Sequence, residues 1–233
     1  MDTAKDINYI LSRSKKRKRT LSLRIMQDGR IIMQVPYRTT QAEIDSFFNS
    51  KTDWVRKKLT ERADNSKRDA VKPIAFIPGD KFLYLGEWYP LEFQNTNGSR
   101  TPLGLSWGTF VLDETKADRA RDLFIKWYKD EAKRLLTDRV NYYSKNLGLS
   151  PKDIKITSAL LRYGSCSPDN KLSFTWRLVM SPLAVIDYVI IHELMHIKEK
   201  NHSGRFWSIV EAAMPDYKKH RHWLREHGHL LKL

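Results

Sequence analysis

Cysteine is nearly absent from this chain of 233 residues, which contains only Cys166. A single cysteine cannot form a disulfide within the chain, so the disulfide-rich extracellular scaffolds are excluded. The sequence also lacks a run of about 18 apolar residues, which is the length that a transmembrane helix needs. Residues Met1 to Asp6 lack the apolar stretch of a secretory signal. We therefore expect a cytoplasmic protein with no membrane partner.

Acidic residues are also scarce, since 27 Asp and Glu stand against 42 Lys and Arg, which gives a net charge of +15. Such a surface attracts polyanions, so the partner could be nucleic acid or a nucleotide, or the charge could belong to an ordinary solvated surface. No glycine-rich phosphate loop accompanies the charge. The basic run from Arg13 to Arg19 fits a phosphate contact or the charged flank of an edge strand, and we favour the flank.

The sequence pattern of residues 1–113 predicts a β-rich N-terminal region with one helix. Alternating apolar residues on both sides of Asp28-Gly29 predict a β-hairpin. Thr40 begins a capping box, which predicts a helix over residues 40–64. Strand-forming residues over 75–112 predict a small sheet in the second half of this region.

We expect residues 114–233 to form the region that holds the functional site. Apolar residues at three- to four-residue spacing predict a helix over 115–147, with Gly148 as its left-handed C-terminal residue. Two alternating runs, 154–160 and 172–178, predict a β-hairpin whose strands join through a shaped loop. The sequence as a whole predicts an α+β fold in which a helix packs on a small antiparallel sheet.

That helix carries the pattern H-E-x-x-H over residues 192–196. Ser181-Pro182 precedes it as a cap and first helical residue. Positions i and i+4 lie on one face of a helix, so His192 and His196 can face one point. A third histidine, His202, follows a break in the helix and can turn back toward that point.

Three protein ligands with one open position are typical of catalytic zinc. Glu193 directly follows the first histidine, which is the usual place for a carboxylate that accepts a proton from a zinc-activated water. The sequence therefore predicts one zinc ion held by His192, His196 and His202, with Glu193 as general base. Such a site predicts a zinc hydrolase, most directly a peptidase.

Other residues could take part in this site. Glu199 is a rival third ligand, although a ligand one helical turn further along drifts from the point where the first two converge. Cys166 could be a thiolate ligand or a nucleophile, but the three-histidine set does not need it. All seven histidines lie after position 191. We interpret the four remaining ones as part of a solvated, basic C-terminal helix: His220, His222, His227 and His229.

Hydrolysis of a peptide bond also needs donors for the oxyanion besides the metal. Arg162 and Tyr163, in the loop before the second strand of the hairpin, are candidates for this role. Peptide substrates commonly pair with an edge strand of the enzyme. The strand over 171–178 is our candidate for that edge, because it directly precedes the metal-binding helix.

Nearly the whole chain resembles the YgjP-like metallopeptidase domain, a family similar to the SprT and WLM zincin-type peptidases, and residues 162–207 are the specific part of the resemblance. The resemblance is carried by Arg162-Tyr163-Gly164-Ser165-Cys166-Ser167, Trp176-Arg177-Leu178, Pro182, Asp187-Tyr188-Val189, the H-E-x-x-H pattern, Asn201-His202-Ser203 and Phe206-Trp207. It implies a zincin-like α+β fold, with the three histidines as zinc ligands and Glu193 as general base. The chain departs from the family at Tyr163, where the family usually has Trp.

Three functions follow from these observations. The leading one is a zinc-dependent metallopeptidase that acts on a peptide or protein substrate, including proteins bound to nucleic acid. The first alternative is a metal-dependent nucleotide pyrophosphatase or phosphohydrolase, which uses the same site on phosphorus. The second is a nucleic-acid-binding protein with a structural zinc, against which the open fourth coordination position argues.

Overall fold

The computed structural model describes residues 7–15, 17–26, 30–68, 74–95 and 101–233. The chain divides into two compact units, Met1–Lys72 and Pro73–Leu233. Helices and small sheets occur in both units, so the predicted α+β class is confirmed. In the described part of the chain, no helix combines the length and the apolarity that a membrane span requires.

The first unit is a three-stranded sheet with one helix: β1 (Tyr9–Ser14), β2 (Ser22–Ile25), β3 (Ile31–Pro36) and α1 (Gln41–Arg68). Strand β3 is central and pairs antiparallel with β2, which confirms the predicted hairpin, although Asp28-Gly29 lies outside the described residues. Strand β1 pairs parallel with the other edge of β3. Met33 and Val35 of β3 pack against Ile44 and Phe48 of α1 and form the core of this unit.

The capping box that the sequence predicts is present at the start of α1. The Thr40 amide donates to the Glu43 carboxylate (2.8 Å), and the Glu43 amide donates back to the Thr40 hydroxyl (3.3 Å). This reciprocal capping box starts α1, which continues to Arg68, beyond the predicted end at 64. Arg13 donates to the carbonyls of Tyr37 and Thr39, so part of the basic run binds the chain's own backbone.

In the part of the second unit that the structure describes, there are two sheets and four α-helices. The first sheet has the strand order β4-β5-β7-β6, with β4 (Lys81–Tyr84), β5 (Glu87–Gln94), β6 (Leu103–Ser106) and β7 (Thr109–Asp113). The second sheet has the order β8-β10-β9, with β8 (Asp153–Thr157), β9 (Gly164–Cys166) and β10 (Lys171–Thr175). The helices are α2 (Ala120–Leu147), α3 (Leu183–Met195), α4 (Gly204–Ala213) and α5 (Tyr217–His227).

The first sheet and α2 share one core. Phe82 of β4 stacks on Phe124 of α2 with ring centroids 3.8 Å apart, and Tyr128 stacks on Trp176 at 5.7 Å. The buried Tyr128 hydroxyl donates to the Leu83 carbonyl (2.7 Å), which satisfies its polar end. The compact units divide at 72–73, and the aromatic side chains of residues 81–113 pack in the core of the second unit.

The second sheet differs from the predicted hairpin. Strands β8 and β10 run parallel, and the loop that was expected to join them contains β9, which pairs antiparallel with β10. The sheet is therefore mixed, and β10 is its central strand. Our prediction that residues 171–178 form the edge was wrong, because β9 occupies that edge. Strand β10 ends at Thr175, and Trp176–Met180 form a 3₁₀ turn.

Helix α3 starts against the turn between β4 and β5. The amides of Leu85 and Gly86 donate to the carbonyls of Val179 and Met180 (2.9 and 3.0 Å). Gly86 has a φ of +88°, and a Cβ there would lie 2.8 Å from Cγ of Pro182. The cap of α3 is Pro182, one residue later than predicted, and the Ser181 hydroxyl donates to the Leu178 carbonyl instead of capping the helix.

A charged pair ties α3 to α2. Arg139 of α2 donates from Nε and Nη2 to the two carboxylate oxygens of Asp187, at 2.7 and 2.5 Å. Asp187 is buried, and Nη2 of Arg139 also reaches the Tyr143 hydroxyl (3.2 Å). The two-pronged geometry is the strong form of this interaction, so the pair fixes the rotation of α3 about its axis.

We predict that Asp187→Asn lowers the free energy of unfolding by about 2 kcal/mol, since it removes charge-assisted hydrogen bonds from a mostly buried site. Denaturant unfolding measures the change. The matched control is Glu211→Gln, which breaks the exposed pair of Glu211 with Lys218 and should cost about 0.5 kcal/mol or less. Equal losses in the two variants would contradict the role given to Asp187.

Candidate metal centre

The three predicted ligands come from one helix and the loop that follows it. Helix α3 buries Ile186, Ile190 and Leu194 completely, and its other side presents His192, with His196 at the C-terminal cap. His202 precedes α4, whose N-cap is Ser203, where the hydroxyl accepts from the Phe206 amide. One potential ligand atom from each histidine lies within 4.8 Å of the others.

The spacing of the ring nitrogens suits a metal ion. Nε2 of His192 and Nε2 of His202 are 2.9 Å apart. Two nitrogens that bind zinc at 2.0–2.1 Å in a tetrahedral arrangement would lie about 3.3 Å apart, so a small widening accommodates an ion. The Nδ1 atom of His192 is buried and has no hydrogen-bond partner.

The third ring is held by the backbone. Nδ1 of His196 lies 3.0 Å from the Glu199 carbonyl oxygen. A carbonyl only accepts, so Nδ1 carries the proton and Nε2 keeps its lone pair for a metal. This arrangement is the usual outer support of a metal-binding histidine, which fixes both the tautomer and the ring orientation.

Burial keeps the first ligand neutral. Desolvation lowers the pKa of His192 to about 3, and the nearby His196, His202 and Arg221 lower it further in the same direction. The pKa of His202 is lowered by the same causes. Neutral imidazole is the form that binds metal, so this environment favours the state that the site needs.

Two aromatic residues of α4 support the histidine rings. Phe206 is fully buried and contacts all three, stacked on His196 at 4.4 Å and edge-on to His192 and His202 at 4.9 and 4.8 Å. The Trp207 ring lies 5.7 Å from the rings of His192 and His202. From the sequence, both residues are identified only among those that carry the family resemblance, because helical periodicity does not show which buried residue faces a site.

Glu193 lies in a nearly closed environment. It is only 7% exposed, and burial raises its pKa to about 7, while the charge of Arg162 acts in the opposite direction. Gly164 of β9 packs directly against it, because a Cβ at that position would lie 2.6 Å from Cγ and 2.7 Å from Oε1 of Glu193. The edge strand therefore approaches the carboxylate so closely that only glycine fits.

The two candidate oxyanion donors lie in different surroundings. Arg162 is exposed and acts on Glu193 through its charge. Tyr163 is half-buried, which raises its pKa, and its hydroxyl lies against Gly228, where a Cβ would be 2.0 Å away. The structure therefore places the Tyr163 hydroxyl beside the end of α5, and the role of both residues as oxyanion donors stays a prediction.

The rival ligands have other partners. The Glu199 carboxylate accepts from the Asn201 amide (3.5 Å), and its backbone carbonyl holds His196. Burial raises the pKa of the Cys166 thiol, and Lys200 lies 3.8 Å from its sulfur. The C-terminal histidines with a nearby partner on α5 make these contacts: His220 with Asp216, His222 with Arg225, and His227 with the Trp223 carbonyl.

Three convergent imidazoles, a buried carboxylate and an edge strand can together hold a divalent ion and move a proton beside it. Imidazole nitrogens suit zinc, copper, iron and nickel, and a three-histidine set with an open position is typical of catalytic zinc. The described residues therefore fit the metal that the sequence analysis expects.

Comparisons with known proteins give the same indication. Residues 19–227 match the YgjP-like metallopeptidase domain family. The crystal structure of the metallopeptidase zymogen of Pyrococcus abyssi abylysin is similar over 36% of this chain and 87% of that chain, with 22% identity and a TM-score of 0.34, which is too low to support an argument. The comparison with curated proteins found no match. Since the family match spans most of the sequence, the chain belongs to the YgjP-like metallopeptidase family.

Proposed function

We propose that this protein is a zinc-dependent metallopeptidase that binds one zinc ion through His192, His196 and His202. The observation that carries the proposal is the convergence of the three histidines, whose potential ligand atoms lie within 4.8 Å of one another. Glu193 directly follows the first of them in the chain. The family of metallopeptidases to which the chain belongs supports the reaction class. When bound, the metal supplies Lewis acidity, which acidifies a water molecule and polarises the scissile carbonyl.

Glu193 is the general base in this proposal. A general acid–base works best when its pKa lies near the operating pH, and burial brings the pKa of this carboxyl to about 7. Glu193 takes the proton of the attacking water and then delivers it to the leaving amine. Gly164 keeps the carboxylate in one position, because the β9 backbone leaves it no free space on that side.

The substrate lies along β9 in this proposal. An extended peptide can add to an exposed sheet edge and gain backbone hydrogen bonds from it. Strand β9 is an edge of the β8-β10-β9 sheet, and its first residue, Gly164, contacts Glu193. A peptide paired there would pass next to the base, which the central strand β10 could not achieve.

The net charge of +15 also suggests substrates that are associated with nucleic acid. Arg13 and Arg17 use their guanidinium groups within the first unit, on the Tyr37 and Thr39 carbonyls and on Ser22 and Gln34 respectively. We therefore base the nucleic-acid hypothesis on the total charge and not on the run from 13 to 19. We expect the protein to act in the cytoplasm.

We predict that Glu193→Gln lowers kcat for casein cleavage by about 10²- to 10⁴-fold, which is the usual contribution of general acid–base catalysis. Metal analysis of the same sample should show unchanged zinc, because this residue does not ligate. The control is Glu211→Gln, which removes an exposed carboxylate of α4. If casein cleavage persisted in Glu193→Gln, Glu193 could not be the general base.

We predict that His202→Ala loses most of its zinc, because two histidines and water bind the ion more weakly than three histidines do. Metal analysis of purified protein beside the wild type measures the loss. His222→Ala on α5 is the matched control and should keep the full zinc content. If His202→Ala kept the full zinc content, the third ligand would have to be another residue.

We predict that Gly164→Ala lowers kcat by about 100-fold, because the added methyl group displaces Glu193 and a shift of about 1 Å costs that much in an active site. Zinc content should stay unchanged. Gly104→Ala in β6 is the matched control, since a Cβ there meets nothing within 4 Å. Thermal unfolding of both variants separates this effect from loss of fold, and a fully active, folded Gly164→Ala would contradict the proposed packing.

A further inference from the structure

Arg221 of α5 is held over an aromatic ring near the three histidines. The carbon centre of its guanidinium lies 4.7 Å from the Trp207 ring centroid, a distance typical of a cation–π contact. Arginine stacks on a ring in this way and keeps its N–H groups free at the edges. The flat face of the guanidinium therefore rests on the Trp207 ring, while its N–H groups remain available to donate hydrogen bonds.

The ring under Arg221 belongs to the wall of the site. Trp207 contacts His192 and His202, and it stacks on Tyr217 at 5.4 Å with an interplanar angle of 16°. Arg221 is thus one aromatic ring removed from the histidines. Its positive charge contributes to the lowered pKa values of His192 and His202, so its field extends into the site.

Among the residues that the structure describes, no Asp or Glu forms an ion pair with Arg221, and the residue is exposed. Arg225, one turn further along the same helix, instead pairs with Glu226 (3.5 Å) and contacts His222. Arginine presents a planar fork of donors that matches a carboxylate, and in Arg221 that fork faces solvent.

We propose that Arg221 is a specificity-determining residue that binds a carboxylate of the peptide substrate beside the three-histidine site. The inference rests on the proposed peptidase function. The Trp207 ring lies 5.7 Å from the His202 ring and 4.7 Å from the Arg221 guanidinium, so this cation is within about 10 Å of the histidine. An extended peptide advances about 3.3 Å per residue, so Arg221 can face a group up to about three residues from the scissile bond. Arg162, which is also exposed, acts on Glu193 through its charge and is a second cation near the site.

Binding to the zinc-loaded Glu193→Gln protein tests the inference without turnover. The probes are fluorescein-labelled, C-terminally amidated peptides of Gly, Ser and Ala that contain one Glu at each position in turn, each with a matched Gln peptide. A neutral peptide with a free C-terminal carboxylate tests whether Arg221 binds the C-terminus of the substrate and not a Glu side chain. Fluorescence anisotropy gives each affinity.

We expect one Glu position, or the free C-terminus, to bind about fivefold more tightly than its neutral counterpart, which is the effect of a partly exposed charge pair. Adding Arg221→Gln should remove the difference, and Arg221→Lys should keep only part of it, since lysine lacks the planar fork. Arg225→Gln removes the same charge from the same helix and should keep the full preference.

Equal affinity for charged and neutral peptides at every position would overturn the inference, as would an equal weakening of both by Arg221→Gln. The proposed function is tested separately, by cleavage of the same peptides with wild-type protein. If no peptide is cleaved but the Glu preference depends on Arg221, the peptidase proposal fails and the binding role stands. If Arg221→Gln lowers kcat equally for both peptides, the residue acts on the reaction and not on specificity.

Discussion

Desolvation is the constraint on which the site depends. An apolar interior disfavours charge, so it raises the pKa of Glu193 to about 7 and lowers that of His192 to about 3. The first change produces a carboxyl group that exchanges a proton near neutral pH, and the second keeps an imidazole lone pair free. Phe206, which is fully buried and contacts all three histidine rings, is a main source of this environment.

Such an environment requires that α3 stay in place, and two contacts in the first half of the helix hold it. The β4–β5 turn fits against Pro182 at its start, where Gly86 leaves no room for a side chain. Asp187, on the next turn, accepts two hydrogen bonds from Arg139 of α2. Because His192 lies on the last turn of α3 and His196 caps it, both contacts help to position these histidines from a distance. The first sheet therefore supports the site although none of the three histidines belongs to it.

The sequence predicts what depends on neighbours along the chain. The capping box of Thr40 and Glu43 and the left-handed Gly148 are local, and both are present in the structure. The parallel pairing of β8 with β10 was missed, because β9 has three residues and is too short to show a period. Gly164 in the sequence is one more loop glycine, and only its approach to Glu193 in space shows why a side chain is excluded. Arg221 lies 19 residues beyond His202, and no spacing rule connects them.

The same distinction between local and spatial information changes how the charge of this protein is interpreted. A net charge of +15 suggests a uniform attraction for polyanions, but the individual cations differ in what they contact. Arg13 binds backbone carbonyls and Arg139 binds a buried carboxylate, so both charges stabilise the fold. Arg221 contacts an aromatic ring that in turn contacts His192 and His202. Selection of a peptide at this site is therefore expected to depend on a few cations at its rim, whereas the total charge acts only on long-range attraction to polyanions.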